Sequence, residues 1–461
     1  MIRRKLFGTN GVRGLANIDL TPSFVSSLGQ AIGTFFGSSK TIYLGMDGRT
    51  SGPFIKYALM SGLMSVGCRV VDTGMVPTPA LQYAVTAEEA DGGVMITASH
   101  NPPEYNGIKV AGKDGIEISG EDEKAIEDTY YAGSWKTVSW EQVHEASTNS
   151  GILDLYRKAI KKHVDVDSIT KAGLKVVVDP GNGVGSLVTP YLLRELGCAV
   201  TTINSHIDGI SPSRMPEPTP ASLQDLMITV KALGADLGIA HDGDADRAVF
   251  IDDRGGFQWG DRTFGLIEKF FLKSNPGSVI VTPVSSSQMI AEIAESFHGK
   301  VEFTRVGSTV VSRRMVEIGA MLGGEENGGV FYGPHQSVRD GAMTAALLLD
   351  IIAKEGKALS ELLNELPRYY SVKDKVVCPN NMKNEVTREF ISAVKAERFE
   401  TIDGIKIWPD KKSWILIRPS GTEPIFRIFV ESTTEKKTRE LLDANKKLLI
   451  NIVKKLKRRL T

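Results

Sequence analysis

The chain has 461 residues, with 55 Lys and Arg against 55 Asp and Glu. The balanced charge leaves no footprint for nucleic acid or an acidic membrane surface, and no run reaches the ~18 consecutive apolar residues of a membrane span. The length points to roughly two to four domains, and the dispersed Cys68, Cys198 and Cys378 argue against a disulfide framework or a thiolate metal site, as expected for a cytoplasmic enzyme.

The basic start, Met1-Ile2-Arg3-Arg4-Lys5, lacks the apolar stretch of a signal peptide. Residues 41–45 read as a strand, 54–66 as a helix and 67–71 as a second strand. The same order recurs at 174–179, 188–196 and 197–200, and again at 278–281, 288–297 and 300–303. Strand, helix and strand with a small residue at the turn is the signature of a parallel-rich sheet. Three occurrences predict three related mixed α/β domains rather than one large sheet. The last quarter differs: strands at 415–418 and 425–430 flank a Gly-containing loop, and a long amphipathic helix covers 435–460, an α+β layout. Polar or Gly/Pro breaks predict domains at 1–150, 151–255, 256–367 and 368–461.

Four segments concentrate chemistry. Ser99 and His100, in Thr97-Ala98-Ser99-His100-Asn101-Pro102, follow the strand-like run 92–96, which delivers the loop to the end of a sheet where ligands collect. The segment reads as a hydroxyl that carries a phosphate, as a capped turn, or as part of a Ser-His-Asp triad. The triad lacks a nucleophile elbow of the G-x-S-x-G kind. Asp242, Asp244 and Asp246 alternate in Asp-Gly-Asp-Ala-Asp-Arg after the strand-like run 237–240. An EF-hand loop fails because Arg247 stands where Gly is required. Crowded carboxylates repel one another and call for a cation, and oxygen-only ligands favour Mg²⁺ or Mn²⁺. A strand followed by Asp-x-Asp also fits a phosphatase with an aspartyl nucleophile.

Arg418-Pro419-Ser420-Gly421-Thr422-Glu423-Pro424 offers a guanidinium, two hydroxyls and close backbone N–H groups, a cradle for a phosphate monoester, with Arg427 on the next strand as a second contact. Glu325 and Asn327, in Gly323-Gly324-Glu325-Glu326-Asn327-Gly328-Gly329, suit sugar hydroxyls. Arg13 and Lys109 are cations in Gly-bounded segments, either site residues or solvated surface.

In combination these segments resemble the α-D-phosphohexomutases over essentially the whole length, starting from Leu6-Phe7-Gly8-Thr9-Asn10-Gly11-Val12-Arg13-Gly14. The resemblance implies four domains around a central cleft, three related and the fourth distinct. It implies phosphoserine at Ser99, and Mg²⁺ held by Asp242, Asp244, Asp246 and the Ser99 phosphate. Glu325 and Asn327 would hold the sugar. Arg418, Ser420, Gly421, Thr422 and Arg427 would grip the phosphate that is not transferred. Arg13, His100, Lys109 and Arg247 would stand near the nucleophile, with Lys109 and His100 as acid/base candidates. The implied reaction interconverts hexose 6- and 1-phosphates of glucosamine, mannose or glucose through a hexose 1,6-bisphosphate, in a monomer or homodimer. A Mg²⁺-dependent sugar phosphatase and a non-catalytic sugar-phosphate binder are the competing readings. The family's sugar loop usually reads Gly-Glu-x-Ser-Gly-His; here Asn327 and Gly329 replace Ser and His. Val306-Gly307-Ser308 lacks the Asp-Arg that often follows Val-Gly in glucosamine-selective members.

Overall fold

A computed structural model describes residues 5–8, 10–394, 398–421 and 423–460. Strands β1 (Val12–Leu15), β2 (Thr41–Met46), β3 (Arg69–Met75), β4 (Gly92–Ile96), β5 (Tyr105–Ala111) and β6 (Ser147–Thr148) form one sheet, ordered β1-β5-β4-β2-β3-β6. The second sheet contains β7 (Lys175–Asp179), β8 (Ala199–Thr202), β9 (Leu237–His241), β10 (Ala248–Asp252) and β11 (Phe257–Gln258), ordered β11-β10-β9-β7-β8. The third contains β12 (Val279–Pro283), β13 (Lys300–Thr304), β14 (Leu322–Gly324), β15 (Val330–Tyr332) and β16 (Gln336–Arg339), ordered β13-β12-β14-β15-β16.

These sheets repeat one plan. A central strand (β2, β7 or β12) pairs in parallel with the next strand on one side and with a third strand on the other. A fourth strand then returns antiparallel to the third. The repeat anticipated from the strand–helix–strand pattern is therefore a repeat of topology. The apolar third strands, such as 92–96 and 237–241, are buried along their whole length, as strands covered on both faces must be.

The fourth sheet is antiparallel throughout: β17 (Tyr370–Val377), β18 (Arg398–Glu400), β19 (Ile405–Asp410), β20 (Ser413–Pro419) and β21 (Ile425–Ser432), ordered β17-β21-β20-β19-β18. Alternate β21 residues Phe426, Ile428 and Val430 join a core with Leu449, Ile452 and Leu456 of the helix Glu435–Leu460. The break read at 253–256 is a hairpin turn between β10 and β11, where Asp252 Oδ1 accepts the N–H groups of Arg254 (2.9 Å) and Gly256 (2.8 Å). An Asp–Gly turn and a linker share one composition.

The largest core runs through all three mixed sheets, from Tyr43 and Met95 through Leu192 and Phe250 to Leu349 and Leu363. At its middle lies the helix Gly341–Glu355, whose Ala342, Ala345, Leu348, Leu349 and Ile352 are all buried. Its N-cap, Asp340, accepts the Met343 N–H (2.9 Å) and the Tyr156 hydroxyl, which reaches in from the second unit. Among the described residues no helix is long and apolar enough to cross a membrane.

Glu268, in the helix Gly260–Ser274, is fully buried, and neither carboxyl oxygen has a hydrogen-bond partner among the described residues. Burial pushes its pKa well above the usual glutamate range, so the folded chain holds the proton that the unfolded chain releases above the ordinary carboxylate pKa. Stability contributed here falls as pH rises from that ordinary value toward the raised one. Glu268→Leu is expected to gain about 1–3 kcal/mol at pH 8, the cost of an unsatisfied buried polar group. Urea unfolding at pH 5 and pH 8 checks it: the variant's advantage must be larger at pH 8.

Candidate active site

Each mixed unit places its chemistry at the same topological point. Residues 97–104 join β4 to β5, 242–247 join β9 to β10, and 325–329 join β14 to β15. In every case the loop leaves the carboxyl end of the third strand and returns antiparallel.

Ser99 is buried and adopts a left-handed backbone, with φ of 52°. Such a conformation costs a non-glycine residue about 1–3 kcal/mol and persists only where its surroundings impose it. Here they do. The Ser99 N–H donates to Thr97 Oγ1 (2.8 Å), which in turn donates to Asp47 Oδ2 (2.6 Å). Arg49 donates to the carbonyls of Ser99 (2.9 Å), Asn101 (2.6 Å), Pro102 (2.7 Å) and Tyr105 (2.8 Å), and its Nε lies 3.2 Å from Asp47 Oδ2. One buried guanidinium thus gathers the whole loop. The Asp47–Arg49 clamp escaped the sequence reading; its only signal is a charged pair directly after β2.

The Ser99 hydroxyl donates to Asp242 Oδ2 at 2.7 Å. Gly243 permits this approach, because a Cβ there would lie 2.5 Å from the Ser99 carbonyl oxygen. Asp242, Asp244 and Asp246 are buried, and one oxygen of each lies within 4.8 Å of the others. Asp244 Oδ2 accepts from Thr78 Oγ1 (2.6 Å) and Lys109 Nζ (2.7 Å), whereas Asp244 Oδ1 and Asp246 Oδ1 have no hydrogen-bond partner among the described residues. Two orphaned carboxylate oxygens in an all-oxygen cluster fit a hard divalent cation. Burial pushes the Asp242 carboxyl up to about 7, aided by Asp246 and Asp244 and opposed by Arg247. Burial acts on Asp244 in the same sense, but Lys109 outweighs it and holds that carboxyl well below its usual range.

Lys109 is 3% exposed, so the surface reading of this residue does not hold. Burial alone would lower its pKa, yet Asp244 and Asp246 keep it above the usual lysine value, and the side chain is cationic. Arg13 hydrogen-bonds Asn101 of the 97–104 loop. Arg247 donates to Asp242 Oδ2 from Nε (3.2 Å) and Nη2 (3.1 Å), and grips both oxygens of Glu217 at 3.1 and 3.3 Å. Glu217 also went unread, hidden in the Pro-rich stretch Met215-Pro216-Glu217-Pro218. His100 Nδ1 lies 3.3 Å from Ser99 Oγ and 3.6 Å from Glu217 Oε2. The loss of water on its inner face, and then Arg247, push its pKa down to about 4, so the ring is neutral near pH 7. Both contacts converge on one ring nitrogen, whereas a Ser-His-Asp relay uses two, so the triad reading has no geometry here.

Glu325 is buried, with Arg339 Nη1 at 3.3 Å from its Oε2, and Arg339 Nη2 reaches Asp246 at 2.5 Å. Asn327 Oδ1 accepts the Gly329 N–H at 3.1 Å, closing the loop on itself. In the fourth unit Arg418 Nε donates to Asp403 (2.6 Å), which also accepts the Val306 N–H (3.0 Å) of the third unit. Ser420 Oγ accepts the Glu423 N–H (3.1 Å), and Lys383 buttresses the loop from below through the Glu423 carbonyl (2.6 Å). Arg427 pairs across the sheet with Arg418 and is 45% exposed, its Nη2 2.9 Å from Glu423. Gly421 has open space around it; Thr422 lies outside the described residues. Ser99, His100, Arg13, Lys109, Arg247 and the three aspartates thus form one cluster, joined through Arg339 to Glu325. The 418–427 group stands apart from it, with no hydrogen bond to that cluster among the described residues.

Family models match in the same order: the phosphoglucomutase/phosphomannomutase alpha/beta/alpha domains I, II and III at residues 4–136, 154–256 and 259–370, and the C-terminal domain at 372–448. A protein of Thermococcus kodakarensis named phosphoglucomutase/phosphomannomutase is 46% identical over 98% of this chain and 99% of its own. A phosphoglucosamine/phosphogalactosamine mutase of Sulfurisphaera tokodaii is 46% identical over 96% of this chain and 99% of its own. The crystal structure of a phosphoglucomutase/phosphomannomutase family protein from Burkholderia thailandensis superposes with a TM-score of 0.87 at 29% identity, covering 98% of both chains. With four domain models in order and relatives this similar along its whole length, the chain belongs to the phosphoglucomutase/phosphomannomutase family of phosphohexomutases.

Proposed function

We propose that this phosphohexomutase interconverts hexose 6- and 1-phosphates through a phosphoserine at Ser99 and a hexose 1,6-bisphosphate. The names of its relatives put glucose, mannose and glucosamine phosphates first among the sugars to assay. On this reading the first unit carries the nucleophile, the second the cation, the third the sugar and the fourth the phosphate that stays in place. The enzyme works in the cytoplasm as a monomer or homodimer.

The observation that carries the proposal is the buried Ser99 hydroxyl, held 2.7 Å from Asp242 in an imposed left-handed conformation. A sugar hydroxyl attacks the phosphorus of phospho-Ser99, the Oγ–P bond breaks and the sugar O–P bond forms. Neutral His100 qualifies as acceptor of the sugar's proton, and cationic Lys109 as donor to the departing serine oxygen. The bisphosphate turns over, and its other phosphate returns to Ser99 by the same step reversed. Asp242, Asp244, Asp246 and the Ser99 phosphate would hold Mg²⁺, which would supply Lewis-acid neutralisation of the phosphoryl oxygens. Arg418, Ser420, Gly421, Thr422 and Arg427 grip the other phosphate in both orientations, while Glu325 and Asn327 meet sugar hydroxyls. Burial of the nucleophile restrains water from taking the phosphoryl group.

Incubation with a hexose 1,6-bisphosphate and Mg²⁺, followed by intact-mass and peptide analysis, is expected to place one phosphate on Ser99. Label on Asp242 or Asp244 would instead establish an aspartyl carrier. Stoichiometric release of inorganic phosphate in place of isomerised sugar would make the enzyme a sugar phosphatase.

A further inference from the structure

Arg339 took no part in the sequence reading, yet its guanidinium spans two functional loops, with Nη2 2.5 Å from Asp246 and Nη1 3.3 Å from Glu325. Its backbone has little freedom. It ends β16 in register with Phe331. The next residue, Asp340, is buried and held by the Met343 N–H (2.9 Å), Gln336 Nε2 (2.8 Å) and the Tyr156 hydroxyl. From this anchor the side chain crosses directly over Gly329. A Cβ at 329 would lie 2.4 Å from Arg339 Cδ, 2.9 Å from its Cγ and 3.2 Å from Glu325 Oε2. Gly329 does not have a left-handed φ, so space rather than backbone conformation excludes a side chain there. The departure from the usual sugar loop at 329 and the arginine ten positions on are therefore one feature.

We propose that Arg339 is a positioning residue that fixes Glu325 against Asp246 across the boundary between the second and third units, and that Gly329 is the opening that admits it. The inference rests on the mutase reading for the ligand of Glu325, a sugar hydroxyl. Glu325 is a short-loop residue whose neighbours 326–329 turn sharply between β14 and β15, and the guanidinium is its side chain's only recorded hydrogen-bond partner among the described residues. Without that partner the carboxylate is free to leave the orientation in which it meets the sugar. Charge alone does not do this work: a lysine at 339 keeps the charge but offers no planar fork to bridge two carboxylates.

The test is a double-mutant cycle. Gly329→Ala and Arg339→Lys are each expected to raise the KM for hexose 1-phosphate by about tenfold, the effect of one lost charge-assisted hydrogen bond. Calorimetric Kd values for the sugar phosphate at saturating Mg²⁺ should rise in parallel. Any fall in saturating kcat, transmitted through Asp246, should be smaller than the rise in KM, because the tie to Glu325 acts on sugar binding. The double variant should be no worse than the poorer single one, since the alanine already displaces the arginine. Wild-type kinetics in Gly329→Ala, effects that multiply in the double variant, or a loss confined to kcat would each overturn the proposal. Should the wild-type protein bind and isomerise no hexose phosphate, the mutase reading fails. The same cycle read by thermal unfolding of the ligand-free protein then still decides whether residues 329 and 339 act together.

Discussion

Asp244→Asn is expected to lower kcat by about 10²–10⁴ with little change in KM. A cation that polarises a phosphoryl oxygen contributes several kcal/mol to the transition state, and each ~1.4 kcal/mol is tenfold in rate. Lys109 and Thr78 take one oxygen of Asp244 and leave the other without a hydrogen-bond partner among the described residues. Asn keeps the shape and the Thr78 hydroxyl bond but removes the charge that both Lys109 and a divalent cation require. On the proposed reading the cation would act on the group in transit, so ground-state sugar binding should persist. Steady-state kinetics over a range of Mg²⁺ concentrations checks this. A variant with normal kcat and only a raised KM would remove Asp244 from the cation site.

Arg49→Ala is expected to destabilise the fold by about 3–5 kcal/mol, the usual cost of breaking a buried pair from one side, and to abolish Ser99 phosphorylation. The substitution removes four hydrogen bonds to loop carbonyls and strands Asp47, whose carboxyl burial already pushes above its usual range. Arg49→Lys separates the two effects. It retains a charge beside Asp47 and so recovers much of the stability, but an ammonium cannot collect four carbonyls spread from Ser99 to Tyr105. Chemical unfolding and bisphosphate labelling, measured on both variants, should therefore part company for the lysine. Full labelling of Arg49→Lys would show that the loop shapes itself without the clamp.

The strands were legible because short apolar runs bounded by glycine leave few alternatives, the 242–247 loop because three turn carboxylates crowd together, and the 97–102 loop because it sets a hydroxyl beside an imidazole. The partners that complete the site were not. Asp47, Arg49, Glu217 and Arg339 act through approaches between segments tens to hundreds of residues apart, and nothing local distinguishes Arg339 from an arginine on a solvated strand end. Lys109 shows the same limit from the other side: its Gly-bounded strand suits a surface cation equally well, and only the arrival of Asp244 and Asp246 from the second unit makes its burial tolerable. Composition marks Arg418 as a candidate phosphate ligand, but nothing local shows its tie to Asp403, which joins the 418–424 loop to the third unit.

The distribution of apolar residues sets how this molecule can come apart. The first unit owns a core built from Leu28, Ile32, Leu59 and Val94, and the fourth owns another built from Phe390, Ile417, Phe426 and Leu449. The third has only Val281, Val311, Met315 and Phe331 to itself, and the rest of its interior is the core it shares with the second unit and with one face of the first. An excised third unit would expose the helix Gly341–Glu355 on most of its circumference and collapse. Among the described residues the fourth shares only a small apolar patch around Val284 and Trp414 with the remainder, beside polar ties such as Asp403 to the Val306 N–H, and is the piece expected to fold when cut away. The first three units thus form one cooperative block, and the fourth is a module with its own core.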